Sequence, residues 1–306
     1  MSELAYDLMG DIHGCARTLE ALLQRLDYKL SAGYYQHPQR KLIFLGDFID
    51  RGPRQRETLE IVRPMVERGA ALSVMGNHEF NALAYHYPDG KGGHLRPHNA
   101  TNQHQHRAFL DAYPDMAERD EVMGWFLTLP MFLEMEGFRV VHAAWLPGMV
   151  RQVRDWAPDG LLTRDLLHRA STGGSEEFLA VESLLKGWET DLPEGHSFGD
   201  PDGNRRTRMR TKWWQPIPRF LKEAAIGVPD LPDDVPFPTP QETLYPESER
   251  TVFVGHYWLE GAPCLWADNV CCLDFSVANK GKLVAYRWTG ESKLDSGNFV
   301  DVDCLD

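Results

Sequence analysis

The chain has 306 residues, of which 45 are acidic and 32 are basic, so its formal net charge is −13. This charge argues against a nucleic-acid duplex as partner, because a duplex binder needs cations to displace condensed counterions. It leaves room for a small anionic substrate held by a local cluster of metal ions and arginines. No apolar stretch approaches the ~18–20 residues that a membrane span needs, and the first residues show no secretory leader pattern. We therefore expect no membrane partner.

The cysteines also limit the class of protein. They are odd in number and lack CxxC spacing: Cys15, Cys264, Cys271, Cys272 and Cys304. Such a set does not predict a disulfide framework or a zinc knuckle. The pattern favours reduced thiols and a cytoplasmic protein.

The first part of the chain alternates between predicted strands and helices. Residues 4–10 are an apolar strand, and the leucines after it fall at helical spacing i, i+3, i+4 and i+7: Leu19, Leu22, Leu23 and Leu26. Residues 41–45 are a second strand, and a second helix follows Pro53, in which Pro64 predicts a kink or an early end. Residues 70–75 complete a β-α-β-α-β order, which predicts a mostly parallel sheet covered by helices.

Further strands are predicted at 138–143 and 251–256. Residues 270–277 and 282–288 are predicted to pair with each other across the turn-prone segment ANKGK. Two long segments interrupt the order, a polar helical one at about 80–136 and a mixed one at about 155–250. The second contains a basic piece, 199–214, and a proline-rich piece, 228–246, that favours extended structure. We predict a single domain, 1–306, with these two insertions.

The first insertion is rich in histidine, with five between positions 86 and 106: His86, His94, His98, His104 and His106. Their spacing matches no metal-binding motif. A polar cap over the domain is the favoured interpretation, and an additional metal site is the alternative.

Five short motifs follow predicted strands: GDIHG (10–14), GDFIDRG (46–52), GNHE (76–79), VHAA (141–144) and VGH (254–256). Functional sites in α/β sheets form at the carboxyl ends of strands, so we expect the five motifs to meet. The glycines allow the backbone to turn sharply out of each strand, often at positive φ. The polar residues are aspartate, asparagine and histidine, an oxygen and imidazole set that suits Mn, Fe or Zn.

GDIHG, GDFIDRG and GNHE resemble the three hallmark blocks of the phosphoprotein phosphatase family of binuclear metallophosphoesterases. The resemblance spans about residues 5–145 and resumes near 251–288. GDIHGC and the C-terminal strands are most similar to a bacterial branch that includes diadenosine tetraphosphatases of the symmetrical (ApaH) and PrpE types. GNHE leans toward the PrpE type and the protein phosphatases. The resemblance implies an α/β fold of the calcineurin-like type, a β-sandwich flanked by helices (αββα).

The resemblance also implies a site with two divalent metal ions, most often Mn, with Fe, Zn or Ni as alternatives. One set of residues would hold the metals: Asp11 and His13 the first, Asp47 both, and Asn77, His142 and His256 the second. A second set would act on the substrate: His78 as general acid, Asp50 orienting it, and Arg51 clamping the phosphate. Ala143 and Ala144 depart from the glycine that usually follows the fourth-block histidine.

The family's second phosphate-binding arginine cannot be aligned. Arg208 and Arg210 are candidates, with Arg210 preferred, and a solvated basic loop is the alternative. In such a site two metal ions neutralise the phosphate and activate water for in-line attack, while a general acid protonates the leaving oxygen.

Three functions remain open. The chain could hydrolyse dinucleoside polyphosphates, as its C-terminal similarity favours, or phosphoproteins, as GNHE and the long insertions favour. A catalytically silent metal-binding interaction module is the third, disfavoured because every expected ligand, His78 and Arg51 are present.

Overall fold

A computed structural model describes residues 5–199, 205–216, 218–228, 231–237 and 245–306. The helices and strands of these residues follow in chain order: β1 (Ala5–Met9), α1 (Ala16–Arg25), β2 (Lys29–Ser31), β3 (Tyr34–Gln36), β4 (Arg40–Phe44), α2 (Gln55–Glu67), β5 (Ala71–Ser73), α3 (Asn77–His86), α4 (Ala100–Gln105), α5 (Arg107–Ala112), α6 (Met116–Phe126), β6 (Phe132–Glu134), β7 (Phe138–Val141), α7 (Pro147–Trp156), α8 (Arg164–Ala170), α9 (Glu176–Lys186), β8 (Glu189–Asp191), β9 (Phe198–Gly199), β10 (Arg205–Arg206), β11 (Arg208–Arg210), α10 (Leu221–Ala224), β12 (Thr251–Val254), β13 (Val270–Cys272), β14 (Asp274–Phe275), β15 (Lys282–Trp288) and β16 (Phe299–Asp303). None of the helices within the described ranges has the length and apolar character to cross a bilayer.

The first sheet has the order β14-β15-β1-β4-β5, with β16 paired to β15. Strands β1, β4 and β5 are parallel, as the β-α-β-α-β pattern predicts. Their register places Met9 beside Phe44 and Phe44 beside Ser73, so the three carboxyl ends lie at one edge. Strand β15 runs antiparallel to β1 and extends the sheet on its other side.

The second sheet has the order β13-β12-β7-β6, in which β12 is parallel to both of its neighbours. The predicted pairing of residues 270–277 with 282–288 is only partly right. Residues 270–272 join β12 in the second sheet, whereas residues 274–275 pair with β15 in the first. A single mostly apolar segment therefore passes from one sheet to the other, and both of its halves are buried in the sandwich.

The two sheets pack face to face, which confirms the β-sandwich expectation. One buried apolar cluster draws side chains from both sheets, including Leu8 and Ile43 from the first and Val140 and Phe253 from the second. Alternate side chains on the same strands, such as Leu42, point the opposite way into a larger cluster shared with the helices. This alternation is what a strand between two apolar layers requires.

Helix α2 continues through Pro64 to Glu67, so the predicted early end is wrong. The first insertion is helical, as predicted, and contributes α3 to α6. The second insertion contributes α8, α9 and short strands that include part of the basic piece. Residues 200–204 of the basic piece, and residues 229–230 and 238–244 of the proline-rich piece, lie outside the described residues.

Candidate metal centre and substrate cleft

The five motifs follow β1, β4, β5, β7 and β12, and their polar side chains converge at one edge of the sandwich. Hydrogen bonds join motifs that are far apart in the chain. The backbone N–H of His256 donates to Asp11 Oδ2 at 3.1 Å, and the backbone N–H of His78 donates to Asp47 Oδ1 at 2.9 Å. The structure thus brings together all six residues for which the sequence predicts metal binding.

One group of ligand atoms surrounds the first predicted metal position. His13 donates from Nδ1 to the carbonyl of Ile49 at 2.8 Å, which leaves Nε2 facing Asp47 Oδ2 at 3.6 Å and Asp11 Oδ2 at 4.0 Å. Both His13 Nε2 and Asp11 Oδ1 are buried without a hydrogen-bond partner among the described residues. Buried polar atoms are normally paired, so these two atoms fit a site built for a cation.

The second group lies on the other side of Asp47. His142 donates from Nδ1 to the carbonyl of Leu45, and its Nε2 lies 3.3 Å from Asp47 Oδ2 and 3.1 Å from Asn77 Oδ1. His256 Nδ1 lies 2.7 Å from the same Asn77 oxygen. Ligand atoms bound at ~2.1 Å to one cation lie roughly 3 Å apart, which these spacings approach. Asp47 Oδ2 faces both groups, as a bridging ligand would.

Two sets of side chains have ligand atoms that all lie within 4.8 Å of one another. The first set is His13, Asp47 and His78, and the second is Asp47, His142 and His256. Neither set includes the histidines of the first insertion, so within the described residues the alternative of an additional metal site there gains no support.

Burial and neighbouring charges shift the pKa values of the predicted ligands in different directions. Burial raises the pKa of Asp11 well above its usual value, and Asp274 adds to the effect. Burial acts the same way on Asp47, but the neighbouring histidines, led by His142, outweigh it and hold the pKa of Asp47 well below its usual value. Burial alone would lower the pKa of His142, yet Asp47 and Asp11 raise it to about 10. The attraction between Asp47 and His142 thus favours the charged form of both groups.

The predicted positive φ is found at two motif glycines, Gly14 at 68° and Gly46 at 91°, but the other motif glycines serve a different purpose. Several functional residues themselves have positive φ, including Asp47 at 53°, Asp50 at 69° and His256 at 74°. Strained backbone of this kind clusters at functional sites. Gly76 and Gly255 have ordinary φ and are needed for close approach. A Cβ would lie 2.1 Å from Asp47 Oδ1 in the first and 2.0 Å from Asp11 Oδ1 in the second.

Glu79, the last residue of GNHE, is a structural support that sequence reasoning missed. Its buried carboxylate accepts backbone N–H groups of Asp47 and Phe48 at 2.8 Å and of Gly76 at 2.9 Å. One side chain therefore ties the second motif to the third. Its position three residues after a helix start was the available signal, since a glutamate there caps the helix.

His78 and Asp50 form the pair that the sequence predicts, with Nδ1 of His78 2.6 Å from Asp50 Oδ2. His106 occupies the other side of the same carboxylate, with its Nδ1 2.8 Å from Asp50 Oδ1. All three side chains are buried. The sequence placed His106 in a polar cap and gave no sign of this contact, because 56 residues separate it from Asp50.

Arg51 lies with its guanidinium carbon 3.4 Å from the ring centre of Trp258. Trp258 has φ 54°, and its backbone N–H donates to Asp274 Oδ2 at 2.7 Å. Stacking on an indole fixes the plane of a guanidinium, whose planar donors match the geometry of a phosphate. Arg210 donates to the carbonyl of His256 at 3.4 Å, which places the sequence-predicted candidate at the metal centre. Arg208 pairs with Asp191 at 3.3 Å but also lines the cleft described next.

A cleft of about 840 Å³ opens from this centre and is lined by both insertions. Its cationic lining residues are Arg51, Arg96, Arg107, Lys186, Arg206, Arg208 and Arg210. Three acidic residues accompany them: Asp50, Asp111 and Glu189. Cations thus outnumber acids in the described lining by seven to three, in a chain whose net charge is −13. A concave site of one sign focuses the field on an oppositely charged ligand, here an anion.

Residues 6–284 match the family model described as calcineurin-like phosphoesterase. A bis(5'-nucleosyl)-tetraphosphatase of the symmetrical type from Aromatoleum aromaticum is 32% identical over 289 residues, which cover 93% of this chain and 93% of that protein. An asymmetrical PrpE-type bis(5'-nucleosyl)-tetraphosphatase from a Geobacillus species is 34% identical, over 45% of this chain and 55% of that protein. The similarity to the first relative thus includes the insertions, whereas that to the second covers less than half of this chain.

Solved structures share the fold at low sequence identity. A protein serine/threonine phosphatase from Saccharomyces cerevisiae superposes with a TM-score of 0.53 at 14% identity, covering 99% of this chain and 80% of that one. A cold-active protein-tyrosine phosphatase from a Shewanella species superposes with a TM-score of 0.50 at 13% identity, covering 98% of this chain and 80% of that one.

The family model and the relative that matches the whole chain place this protein in one family. The chain belongs to the calcineurin-like phosphoesterases and is a metal-dependent hydrolase of phosphate esters or anhydrides.

Proposed function

We propose that the chain hydrolyses the phosphoanhydride of nucleoside polyphosphates, with bis(5'-nucleosyl) tetraphosphates as the preferred class. The observation that carries the proposal is the cationic cleft that continues from the metal centre. A monoester needs one phosphate site. Additional cations in the lining beyond that site suit a substrate with several adjacent phosphates. The whole-chain similarity to a symmetrical bis(5'-nucleosyl)-tetraphosphatase points to the same class.

We assign the metal ligands as the sequence predicts. Asp11 and His13 would hold one ion, Asp47 would contact both, and the second ion would be completed by Asn77, His142 and His256. The unpartnered ligand atoms and the contacts of about 3 Å around Asp47 support this set. The oxygen and imidazole donors suit two divalent ions such as Mn. When bound, these ions would neutralise phosphate charge and activate water.

The chain's own groups would do the remaining chemistry. Asp50 holds His78 by Nδ1, so Nε2 faces the centre, 4.0 Å from Asp47 Oδ2, where it can give a proton to a leaving oxygen. Arg51, held on Trp258, would grip the phosphoryl oxygens with paired donors, as guanidinium groups do. Arg210, which donates to the carbonyl of His256, would be the second arginine to contact the phosphate.

Hydrolysis of one internal anhydride of the substrate consumes one water molecule and gives two nucleotides. Cleavage at the centre of diadenosine tetraphosphate gives two ADP, and off-centre cleavage gives ATP and AMP. The product pair therefore reports how the polyphosphate lies in the cleft. We expect ADP, because the relative that matches the whole chain carries the symmetrical name.

The test is a comparison of kcat/KM on the Mn-loaded protein for diadenosine tetraphosphate, a phosphoserine peptide, a phosphotyrosine peptide and p-nitrophenyl phosphate. His78→Asn serves as the blank. We expect the dinucleotide to exceed each phosphopeptide by at least about 100-fold, or ~2.8 kcal/mol of transition-state binding. A phosphopeptide that matches or exceeds the dinucleotide would contradict the proposal and make the cleft a protein-docking surface.

We further place the protein in the cytoplasm, as one domain with neither a nucleic-acid duplex nor a membrane as partner. All five cysteines are free. Unpaired thiols, three of them buried, are typical of a reducing compartment.

A further inference from the structure

His106 makes a contact that the metal centre does not need. Asp50 lies between two histidines, with Oδ2 2.6 Å from His78 Nδ1 and Oδ1 2.8 Å from His106 Nδ1. An ionised carboxylate can only accept, so both Nδ1 atoms must carry the hydrogen. The two histidines donate to Asp50 and hold its pKa below the usual value although burial acts to raise it. The ionised carboxylate of Asp50 therefore accepts one hydrogen bond on each of its oxygens, one from each histidine.

The packing holds His106 firmly in this position. It lies between α4 and α5, and its ring stacks on Phe109 at 4.9 Å with 19° between the planes. Tyr85 meets the same ring edge-on at 5.3 Å. The side chain is 8% exposed, and His106 lines the cleft. A buried imidazole with aromatic neighbours on two sides has little rotamer freedom.

A carboxylate that accepts one hydrogen bond can still turn about its terminal torsion, because that torsion is broad. A second donor on the other oxygen fixes the plane of the group. The backbone of Asp50 is fixed as well, since its N–H donates to Gln55 Oε1 at 2.7 Å. The direction in which His78 presents Nε2 thus depends on His106, two hydrogen bonds away.

We propose that His106 is a positioning residue for proton donation: through Asp50 it orients His78 toward the leaving oxygen. The inference rests on the proposed role of His78 as the general acid. It makes the first insertion part of the catalytic machinery as well as a wall of the cleft. The arrangement follows the general rule that a proton-transfer group is oriented by a partner, which is itself held by a third group.

The test uses leaving groups of graded basicity. A proton donor matters most when the leaving oxygen is strongly basic and least when it is weakly basic. We would measure kcat/KM for substituted phenyl phosphates, from phenyl to p-nitrophenyl phosphate, and plot it against leaving-group basicity. The proteins are the wild type, His106→Leu, His106→Asn, His78→Asn and the control His94→Leu, all Mn-loaded, with melting temperature and metal content recorded.

We expect His106→Leu to steepen the dependence on leaving-group basicity. Its activity should fall about tenfold on phenyl phosphate and much less on p-nitrophenyl phosphate, a fraction of the ~10²–10⁴-fold that proton transfer contributes. His106→Asn keeps an N–H donor near the Nδ1 position and should recover most of the wild-type slope. His94→Leu changes a histidine of the same insertion that does not line the cleft and should leave the slope unchanged.

An equal loss on all phenyl phosphates would mean a merely structural role for His106 and would overturn the inference. So would an Asn variant no better than the Leu variant when both fold and bind metal. If His78→Asn itself leaves the slope unchanged, the proposed acid is wrong and the inference about His106 goes with it. If only His78→Asn steepens the slope, the proposed function stands and His106 alone is excluded.

Discussion

The loops of the metal centre and the insertions that line the cleft hold their polar side chains in different ways. In the metal centre the ligands are buried, and backbone groups, tight glycine approaches and Glu79 fix them from several sides. In the cleft, cations such as Arg208 and Lys186 lie on helix ends and short strands and are paired with carboxylates at the surface. The first region is built for one geometry, which a reaction needs. The second can change its charge pattern without disturbing the sheets, which suits a region that selects substrates.

The largest effect is expected from Asp47→Asn. Asp47 Oδ2 faces both ligand groups, so an amide there would weaken both metal positions. Loss of a partner outside the ligand set already costs ~10–100-fold in metal affinity, and we expect a larger loss here. Elemental analysis after gel filtration and kcat on p-nitrophenyl phosphate measure the two consequences. Full occupancy of two metals in this variant would contradict the bridging assignment.

His78→Asn separates chemistry from metal binding. We expect both metals to be retained and turnover to fall by ~10²–10⁴-fold, because only proton donation is lost. Metal analysis and kcat on phenyl phosphate are the measurements. Turnover near that of the wild type would remove His78 from the mechanism and leave the metal assignment intact.

Glu79→Gln tests the rigidity of the metal centre. The carboxylate of Glu79 now accepts hydrogen bonds from backbone N–H groups, and the amide of glutamine would turn its own N–H toward one of them. At least one buried donor would then be unpaired, at a cost of ~1–3 kcal/mol. We expect a lower melting temperature and weaker metal binding, measured by calorimetry in the presence and absence of Mn. The exposed Glu57, paired with Arg54 on the surface, provides a control as Glu57→Gln, which should change neither.

The smallest effects are expected in the cleft. Lys186→Met should lower kcat/KM for diadenosine tetraphosphate up to about tenfold, since one cation–phosphate contact to an exposed site is worth up to ~1.4 kcal/mol. Activity on p-nitrophenyl phosphate should change little. Lys222→Met is the matched control, because Lys222 belongs to the same insertion and does not line the cleft. Equal losses on both substrates would assign Lys186 to the metal centre instead.

Much of the metal centre could be predicted because its information is local. Each ligand follows a strand within a few residues, so an apolar run followed by a short polar motif indicates both the strand and the place where the ligand lies. The parallel order of β1, β4 and β5 follows from the alternating pattern for the same reason. The division of residues 270–277 between two sheets could not be predicted, because the segment is mostly apolar and either sheet could bury its strand residues.

The short motifs and the family resemblance they carry were enough to propose the metal ligands, their order in the chain and the strand ends at which they lie. The surroundings of the proposed centre became visible only in the fold. His106 meets Asp50, Glu79 ties Asp47 to Gly76, and Trp258 meets Arg51 through contacts between segments far apart in the chain. Such contacts depend on how helices and loops pack over the sheets, and no period or motif in a single sequence encodes that packing. The class of reaction can therefore be predicted from short motifs, whereas the shape and charge of the cleft can be described only from the folded chain.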